Sequence, residues 1–221
     1  MTSRSRAARR LVLPGRFRAV VFDMDGILLD SEPLWIRVFA EAAARHGGTY
    51  GDADRAGTLG QPLSGTARYL ADKLGISAES MQAELAETMR SEYLAGPPLV
   101  AGAGALVAAL TGVLPMAVAT NTLGDVAARA LTASGLRGFD AIVSGADLGS
   151  PKPHPAVYRE ACRRLGVEPA DAVAFEDSVV GIRSAVDAGL TVVAVPQEDV
   201  DLDGAGAHIM LAALEDVVVE R

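Results

Sequence analysis

Short runs of apolar and β-branched residues alternate along the chain with longer segments of helical periodicity. Neither face of these short runs is polar, which is typical of strands buried on both sides of a parallel sheet. They cover residues 18–22, 116–120, 141–144, 172–175 and 191–195. The helical patterns beside the later strands cover residues 102–110, 126–133, 155–165 and 179–188. This alternation predicts an α/β fold with a doubly wound parallel sheet.

One block departs from that alternation because its pattern is helical throughout. It predicts helices over residues 34–45, 64–74 and 78–93, with loops at 47–57 and 75–77. The block is inserted directly after the first strand, so we expect it to lie over the edge of the sheet where such folds bind ligands. The predicted domains are a basic N-terminal tail (1–17), an α/β core (18–32 and 97–221) and an inserted all-helical cap (33–96).

Composition and charge restrict the classes of partner. Half of the 221 residues are hydrophobic, which favours a packed core, and the formal net charge is −8. That charge argues against nucleic acid as a partner, because binding a phosphate backbone needs clustered Lys and Arg. A small phosphate ester stays compatible, since one positive site suffices for it. The oligomeric state stays open.

Residues 96–124 carry no charge but are broken by Gly and Pro, so we interpret them as linker, helix and strand rather than as a membrane span. Cys162 is the single cysteine, which excludes an internal disulfide. We expect a reduced, cytoplasmic protein without a membrane partner.

Asp23 and Asp25 follow directly on the first predicted strand, in the sequence Val-Val-Phe-Asp-Met-Asp-Gly. In an extended chain, side chains two positions apart point the same way. Two carboxylates in one place repel each other unless a proton or cation intervenes, and Mg²⁺ with oxygen ligands meets that need. The alternative is that both are turn residues ahead of Gly26.

Three further segments each follow a later strand. The Thr120 hydroxyl and the backbone N–H groups around Asn121 predict an anion cradle, although a helix cap is the alternative. Lys152 lies among prolines that stiffen its segment. Glu176 and Asp177 add carboxylates, with Asp177 as an N-cap being the alternative.

Together these residues predict phosphoryl transfer. Asp23 is the predicted nucleophile, and Asp25 the acid that protonates the leaving oxygen and then activates water. Mg²⁺ is expected on Asp23, the Asp25 carbonyl and Asp177, with Glu176 nearby. Thr120 and Lys152 are expected to stabilise the phosphoryl oxygens.

The four segments resemble, in order, the motifs of the haloacid dehalogenase superfamily of Asp-dependent phosphatases, in the subgroup with a helical cap after the first strand. The runs 30–35 and 176–190 resemble the branch that contains β-phosphoglucomutase and sugar-phosphate phosphatases. This resemblance implies a Rossmann-like core, Mg²⁺ as cofactor, a small phosphorylated metabolite as substrate and the roles given above.

Two positions depart from the mutase pattern. The mutases have a His where this chain has Trp35, and an Arg where it has Leu63. Dehalogenases lack the carboxylate that Asp25 supplies. Hydrolysis is therefore favoured, with a phosphosugar mutase and a phospho-accepting signalling module as the alternatives.

The substrate-binding residues are predicted to come from the core and from one loop of the cap. The core supplies Thr120, Asn121 and Lys152, and the cap loop at 59–64 supplies Gly60 and Gln61. Further candidate contacts are Trp35, Arg55 and Arg68, although Trp35 fits the core of the cap equally well.

Overall fold

The computed structural model describes residues 10–58, 63–197, 202 and 204–220. In chain order its strands are β1 (Leu11–Leu13), β2 (Ala19–Phe22), β3 (Met116–Thr120), β4 (Ala141–Ser144), β5 (Ala172–Glu176), β6 (Thr191–Ala194), β7 (Ile209–Met210) and β8 (Val217–Val219). Six of them form a parallel sheet in the order β4-β3-β2-β5-β6-β7. The predicted α/β fold with a doubly wound sheet is confirmed. The strand order reverses between β2 and β5, the point at which such sheets bind ligands.

The apolar runs are buried on both faces because successive side chains point into two separate cores. On one face Phe22 stacks on Phe175 of the neighbouring strand, with ring centroids 5.3 Å apart. On the other face Val21 packs in the core that contains Ala174 and Val192. The interior positions of these runs are therefore apolar, and polar residues occur only at the strand ends.

Helices cover the sheet and fill the chain between β2 and β3. They are α1 (Glu32–Arg45), α2 (Asp52–Thr58), α3 (Leu63–Leu74), α4 (Ala78–Ala95), α5 (Ala103–Leu110), α6 (Gly124–Ala133), α7 (Ala156–Leu165) and α8 (Val179–Ala188). We call residues 32–95, which contain α1 to α4, the helical segment. It holds no strand in its described residues.

Helix α2 overlaps the predicted loop at 47–57, so that prediction is wrong for residues 52–57. The seven residues lack an apolar stripe. A buried polar group fixes them instead: Asp54 accepts hydrogen bonds from Lys73 Nζ (2.6 Å), the Tyr69 hydroxyl (2.9 Å) and the Gly51 N–H (2.8 Å).

The predicted N-terminal tail is wrong for residues 11–17. Strand β1 pairs in parallel with β8, and the Leu13 side chain is fully buried. The partner strand lies about two hundred residues away in sequence, which is why no local pattern indicated the pairing. Residues 1–9 of the predicted tail lie outside the described residues.

The two passages of chain between the sheet and the helical segment pair with each other. The Asp30 N–H donates to the Pro98 carbonyl (2.8 Å), and the Val100 N–H donates to the Leu28 carbonyl (3.1 Å). Leu29 and Leu99 form an antiparallel bridge between these bonds. We call this feature the crossing ladder.

No helix within the described ranges combines the length and the apolar composition needed to span a bilayer. The uncharged stretch 96–124 contains α5, a turn and β3.

Candidate active site

Lys152 connects segments that lie far apart in sequence. Its Nζ lies 2.7 Å from Asp23 Oδ1, at the end of β2, and 2.7 Å from Glu176 Oε1, at the end of β5. All three side chains are buried, and Glu176 has no exposed surface. The predicted convergence of Lys152 with the tip of the first core strand is thus present in the structure.

Several groups hold Lys152 in place. The Lys152 N–H donates to Asn121 Oδ1 (2.8 Å), and Asn121 Nδ2 donates back to the Lys152 carbonyl (3.4 Å). The ammonium lies 5.1 Å from the centre of the Tyr158 ring. Burial acts to lower the pKa of Lys152, but Asp23 and Glu176 outweigh it, so the pKa lies above its usual value. The Asn121 side chain is thereby engaged with the backbone of Lys152.

The carboxylates of Asp23, Glu176 and Asp177 carry more negative charge than Lys152 neutralises. Each offers one oxygen, and these oxygens lie within 4.8 Å of one another. Burial, and then the charge of Glu176, raise the pKa of Asp23. Burial, followed by the charges of Asp23 and Glu176, raises the pKa of Asp177 well above its usual value. An oxygen-lined site with excess negative charge fits a hard divalent cation such as Mg²⁺.

Glu176 is saturated with hydrogen bonds within that cluster. Its Oε1 accepts from Lys152 Nζ (2.7 Å) and the Tyr158 hydroxyl (2.6 Å). Its Oε2 accepts from the Ser178 hydroxyl (3.1 Å) and the Asp177 N–H (3.2 Å). Glu176 therefore anchors Lys152, and it also offers an oxygen to the carboxylate cluster with Asp23 and Asp177.

The Asp25 side chain turns away from this cluster and towards the helical segment. Its Oδ1 accepts hydrogen bonds from the Ser31 hydroxyl (2.7 Å) and from the Tyr93 hydroxyl. Its Oδ2 accepts from the Thr122 hydroxyl (3.4 Å). Burial raises the pKa of Asp25, and the hydrogen bonds from Tyr93 and Ser31 oppose that rise. The Asp25 carboxylate is thus hydrogen-bonded to Ser31, Tyr93 and Thr122 and is not part of the cluster of Asp23, Glu176 and Asp177.

Two glycines allow the carboxylates to approach the backbone. Gly26 has φ +78°, and a Cβ there would lie 1.8 Å from Asp177 Oδ2. A Cβ on Gly181, at the start of α8, would lie 1.9 Å from Glu176 Oε1. Any larger side chain at either position displaces an acidic residue of the site.

Thr120 is buried at the end of β3, and its hydroxyl oxygen accepts from the Thr122 N–H (3.1 Å). The loop Thr120–Thr122 is thereby turned at the same edge as Asp23, where an anion cradle was predicted.

No sequence pattern marks three further residues as part of the site. Tyr93 and Tyr158 lie on apolar helix faces, where a tyrosine is typical of core packing. Gln197 follows β6, and its Nε2 donates to the Gly26 carbonyl. Their hydroxyl and amide groups contact site residues only because the fold brings distant elements together.

The predicted cap contacts are only partly described. Gly60 and Gln61 lie outside the described residues. Trp35 packs against Phe39 and Tyr93, with centroids 5.6 and 6.3 Å away, which places it in the interior of the helical segment. Arg55 pairs with Glu32 (2.6 Å), and Arg68 is exposed on α3.

The family model of the haloacid dehalogenase-like hydrolases matches residues 20–195. The chain is 33% identical over 177 residues to the validoxylamine A 7′-phosphate phosphatase of Streptomyces hygroscopicus subsp. limoneus, covering 79% of this chain and 83% of that protein. It is 31% identical over 186 residues to the fructose-1-phosphate phosphatase of Escherichia coli (strain K12), covering 81% and 97%.

The fold is also similar to solved structures. The crystal structure of a CbbY variant from Rhodobacter sphaeroides in complex with xylulose-1,5-bisphosphate superposes with a TM-score of 0.75 at 26% identity. The match covers 92% of this chain and 97% of that one.

Proposed function

Because the chain belongs to the haloacid dehalogenase-like hydrolases and is a phosphoric monoester hydrolase, we propose that it is a Mg²⁺-dependent phosphatase of a sugar phosphate or a similar small metabolite. The observation that carries the proposal is the position of Lys152 Nζ, 2.7 Å from both Asp23 and Glu176. A buried ammonium against a strand-end carboxylate is where a phosphoryl group would meet both a nucleophile and a countercharge. The relatives support the substrate class, because the two named above are phosphatases of validoxylamine A 7′-phosphate and of fructose 1-phosphate, both small phosphorylated metabolites.

In the first step Asp23 attacks phosphorus and the bond from phosphorus to the leaving oxygen breaks. Asp25 gives its proton to that oxygen, so the alcohol leaves neutral and Asp23 carries the phosphoryl group. The burial that raises the pKa of Asp25 favours the protonated form needed at this point. Lys152, and the Thr120 hydroxyl with the neighbouring backbone N–H groups, stabilise the charge on the phosphoryl oxygens.

In the second step water attacks the phosphorus of the aspartyl phosphate. Asp25, now ionised, takes the proton from that water, and the bond between phosphorus and the Asp23 oxygen breaks. The products are inorganic phosphate and free Asp23, with Asp25 protonated again. The two carboxyl groups and one water molecule therefore suffice for both steps.

We assign the cation to Asp23, Asp177 and the Asp25 carbonyl, with Glu176 as the anchor of Lys152. Bound Mg²⁺ would neutralise charge between the nucleophile and the phosphate. The carboxylate cluster and the raised pKa values of Asp23 and Asp177 support this donor set. We further propose that residues 33–96 act as a cap that excludes water and contacts the group bearing the phosphate.

The test is phosphate release from sugar phosphates, phosphoglycolate and nucleoside monophosphates, with Asp23→Asn beside the parent enzyme. We expect EDTA to abolish turnover, Mg²⁺ to restore it, and Asp23→Asn to lower kcat by at least about 10³-fold. Asp171→Asn, the same change at the amino end of β5, serves as the matched control and is expected to keep the parent rate.

Three outcomes would contradict the proposal. Parent-like turnover by Asp23→Asn would exclude covalent catalysis at this residue. Conversion between isomeric sugar phosphates without phosphate release would indicate a mutase. A long-lived phosphorylated Asp23 without turnover would indicate a signalling module.

A further inference from the structure

Tyr93 reaches the active site from the helical segment. It lies near the end of α4, is almost fully buried, and its hydroxyl donates a hydrogen bond to Asp25 Oδ1. The Ser31 hydroxyl, directly before α1, donates to the same oxygen at 2.7 Å. A donor just before the first helix of the segment and a donor near the end of its last helix therefore meet on one oxygen of the acid.

The two oxygens of Asp25 are held differently. Oδ1 accepts two hydrogen bonds, from Tyr93 and Ser31, which occupy its lone pairs. Oδ2 has the longer contact, 3.4 Å from the Thr122 hydroxyl. Oδ2 therefore remains available for exchanging a proton with substrate or water.

We propose that Tyr93 is a positioning residue: together with Ser31 it fixes Asp25 Oδ1, so that Oδ2 faces the leaving oxygen. This proposal rests on the function proposed above. The Tyr93 ring packs edge-on against Trp35 at 6.3 Å, so Tyr93→Phe keeps the packing and removes only the hydroxyl. Without that donor the carboxyl group is freer to rotate about its Cβ–Cγ bond, and proton transfer loses its alignment.

The experiment compares kcat/KM for two leaving groups. One substrate is 4-nitrophenyl phosphate, whose leaving group departs as a stable anion and needs little protonation. The other is the sugar phosphate turned over fastest in the phosphate-release screen, whose alkoxide must be protonated as it leaves. We expect Tyr93→Phe to lower kcat/KM by about tenfold or more for the sugar phosphate and by less than about threefold for the aryl phosphate. KM for the sugar phosphate should stay unchanged.

Three variants calibrate the result. Asp25→Asn should show the same selectivity with a larger loss. Ser31→Ala removes the second donor to the same oxygen and should repeat the effect, which keeps the test decisive should Tyr93→Phe fold poorly. Tyr50→Phe is the matched control, because it removes a partly buried hydroxyl that bonds Thr58 (2.6 Å) in the same segment, and it should affect both substrates equally.

Equal losses for the two substrates in Tyr93→Phe and Ser31→Ala, or no loss in either, would overturn the positioning role. Those outcomes are distinct from a failure of the proposed function. If the parent enzyme releases no phosphate, or if Asp25→Asn shows no dependence on the leaving group, the acid role of Asp25 fails.

Discussion

Lys152 is the residue on which the charge balance of the site depends. Its ammonium is shared between Asp23 and Glu176 in a buried place, where removing one partner of an ion pair costs about 3–5 kcal/mol. The sequence could indicate Lys152 because prolines 151, 153 and 155 stiffen its segment. It could not indicate Tyr158, which holds Glu176 from a helix face that is otherwise apolar.

At the same scale, Gly181→Ala is expected to lower both stability and activity. The added Cβ would lie 1.9–2.1 Å from three atoms of the Glu176 carboxyl group, which is hydrogen-bonded to Lys152 and cannot move freely. Overpacking of this kind costs about 1–3 kcal/mol, and displacing Glu176 also displaces Lys152. Thermal unfolding and phosphate release measure the two effects.

Gly104→Ala provides the matched control, since Gly104 also lies within a helix. Its added Cβ would meet only Leu99 Cδ1, at 3.3 Å, where a small shift of a flexible side chain relieves the contact. Unchanged activity in Gly181→Ala would show that Glu176 does not set the position of Lys152.

At the scale of elements, regular hydrophobic patterns were predictable and polar anchors were not. Strand β3 and helix α8 have the predicted bounds, because burial on both faces and a capped amphipathic pattern are local features. Helix α2 was missed because its position depends on Asp54 meeting Lys73, nineteen residues further along. A single polar contact of that kind produces no repeating hydrophobic pattern in the sequence.

The anchoring of α2 is expected to depend on pH. Hydrogen bonds from Lys73 and then from the Gly51 N–H hold the pKa of Asp54 at about 2, below its ordinary 3.8. Because the folded pKa is depressed, this stabilisation is fully present above about pH 4 and is lost as the pH falls through about 2. NMR signals of residues 51–58 should shift over that window.

The substitution Asp54→Asn should loosen α2 at neutral pH as well. Trypsin is expected to cleave after Arg55 several-fold faster in this variant than in the parent, because α2 opens more often. Asp72→Asn, on the exposed side of α3, should leave the cleavage rate unchanged. Equal cleavage in the parent and Asp54→Asn would mean that packing alone holds α2.

At the scale of the whole molecule, two distant strands complete the core. Strand β1 pairs with β8, and the Glu220 N–H donates to the Leu13 carbonyl (2.7 Å). Three-residue strands joined across almost the full sequence give no local signal, so the sequence pattern predicts a tail over residues 11–17. The parallel α/β architecture, by contrast, followed from the alternation of strands and helices alone.

Neighbouring positions in β1 test this contribution. Leu13 is fully buried whereas Val12 is 42% exposed, so Leu13→Ala should cost about 2–5 kcal/mol and Val12→Ala less than about 0.5 kcal/mol. For a chain of this size each kcal/mol lowers Tm by about 2–4 °C. Equal Tm values for the two variants would show that the pairing of β1 adds little to the stability of the core.

The crossing ladder has a consequence for how such a molecule diversifies. Because the Asp30 N–H and the Pro98 carbonyl are bonded across the two passages, the helical segment begins and ends at neighbouring points, about 5 Å apart as in any antiparallel pair. A two-residue hairpin turn would close the same gap. Modules of quite different length and shape could therefore be exchanged at this junction, altering which compounds enter while the chemistry beneath keeps its architecture.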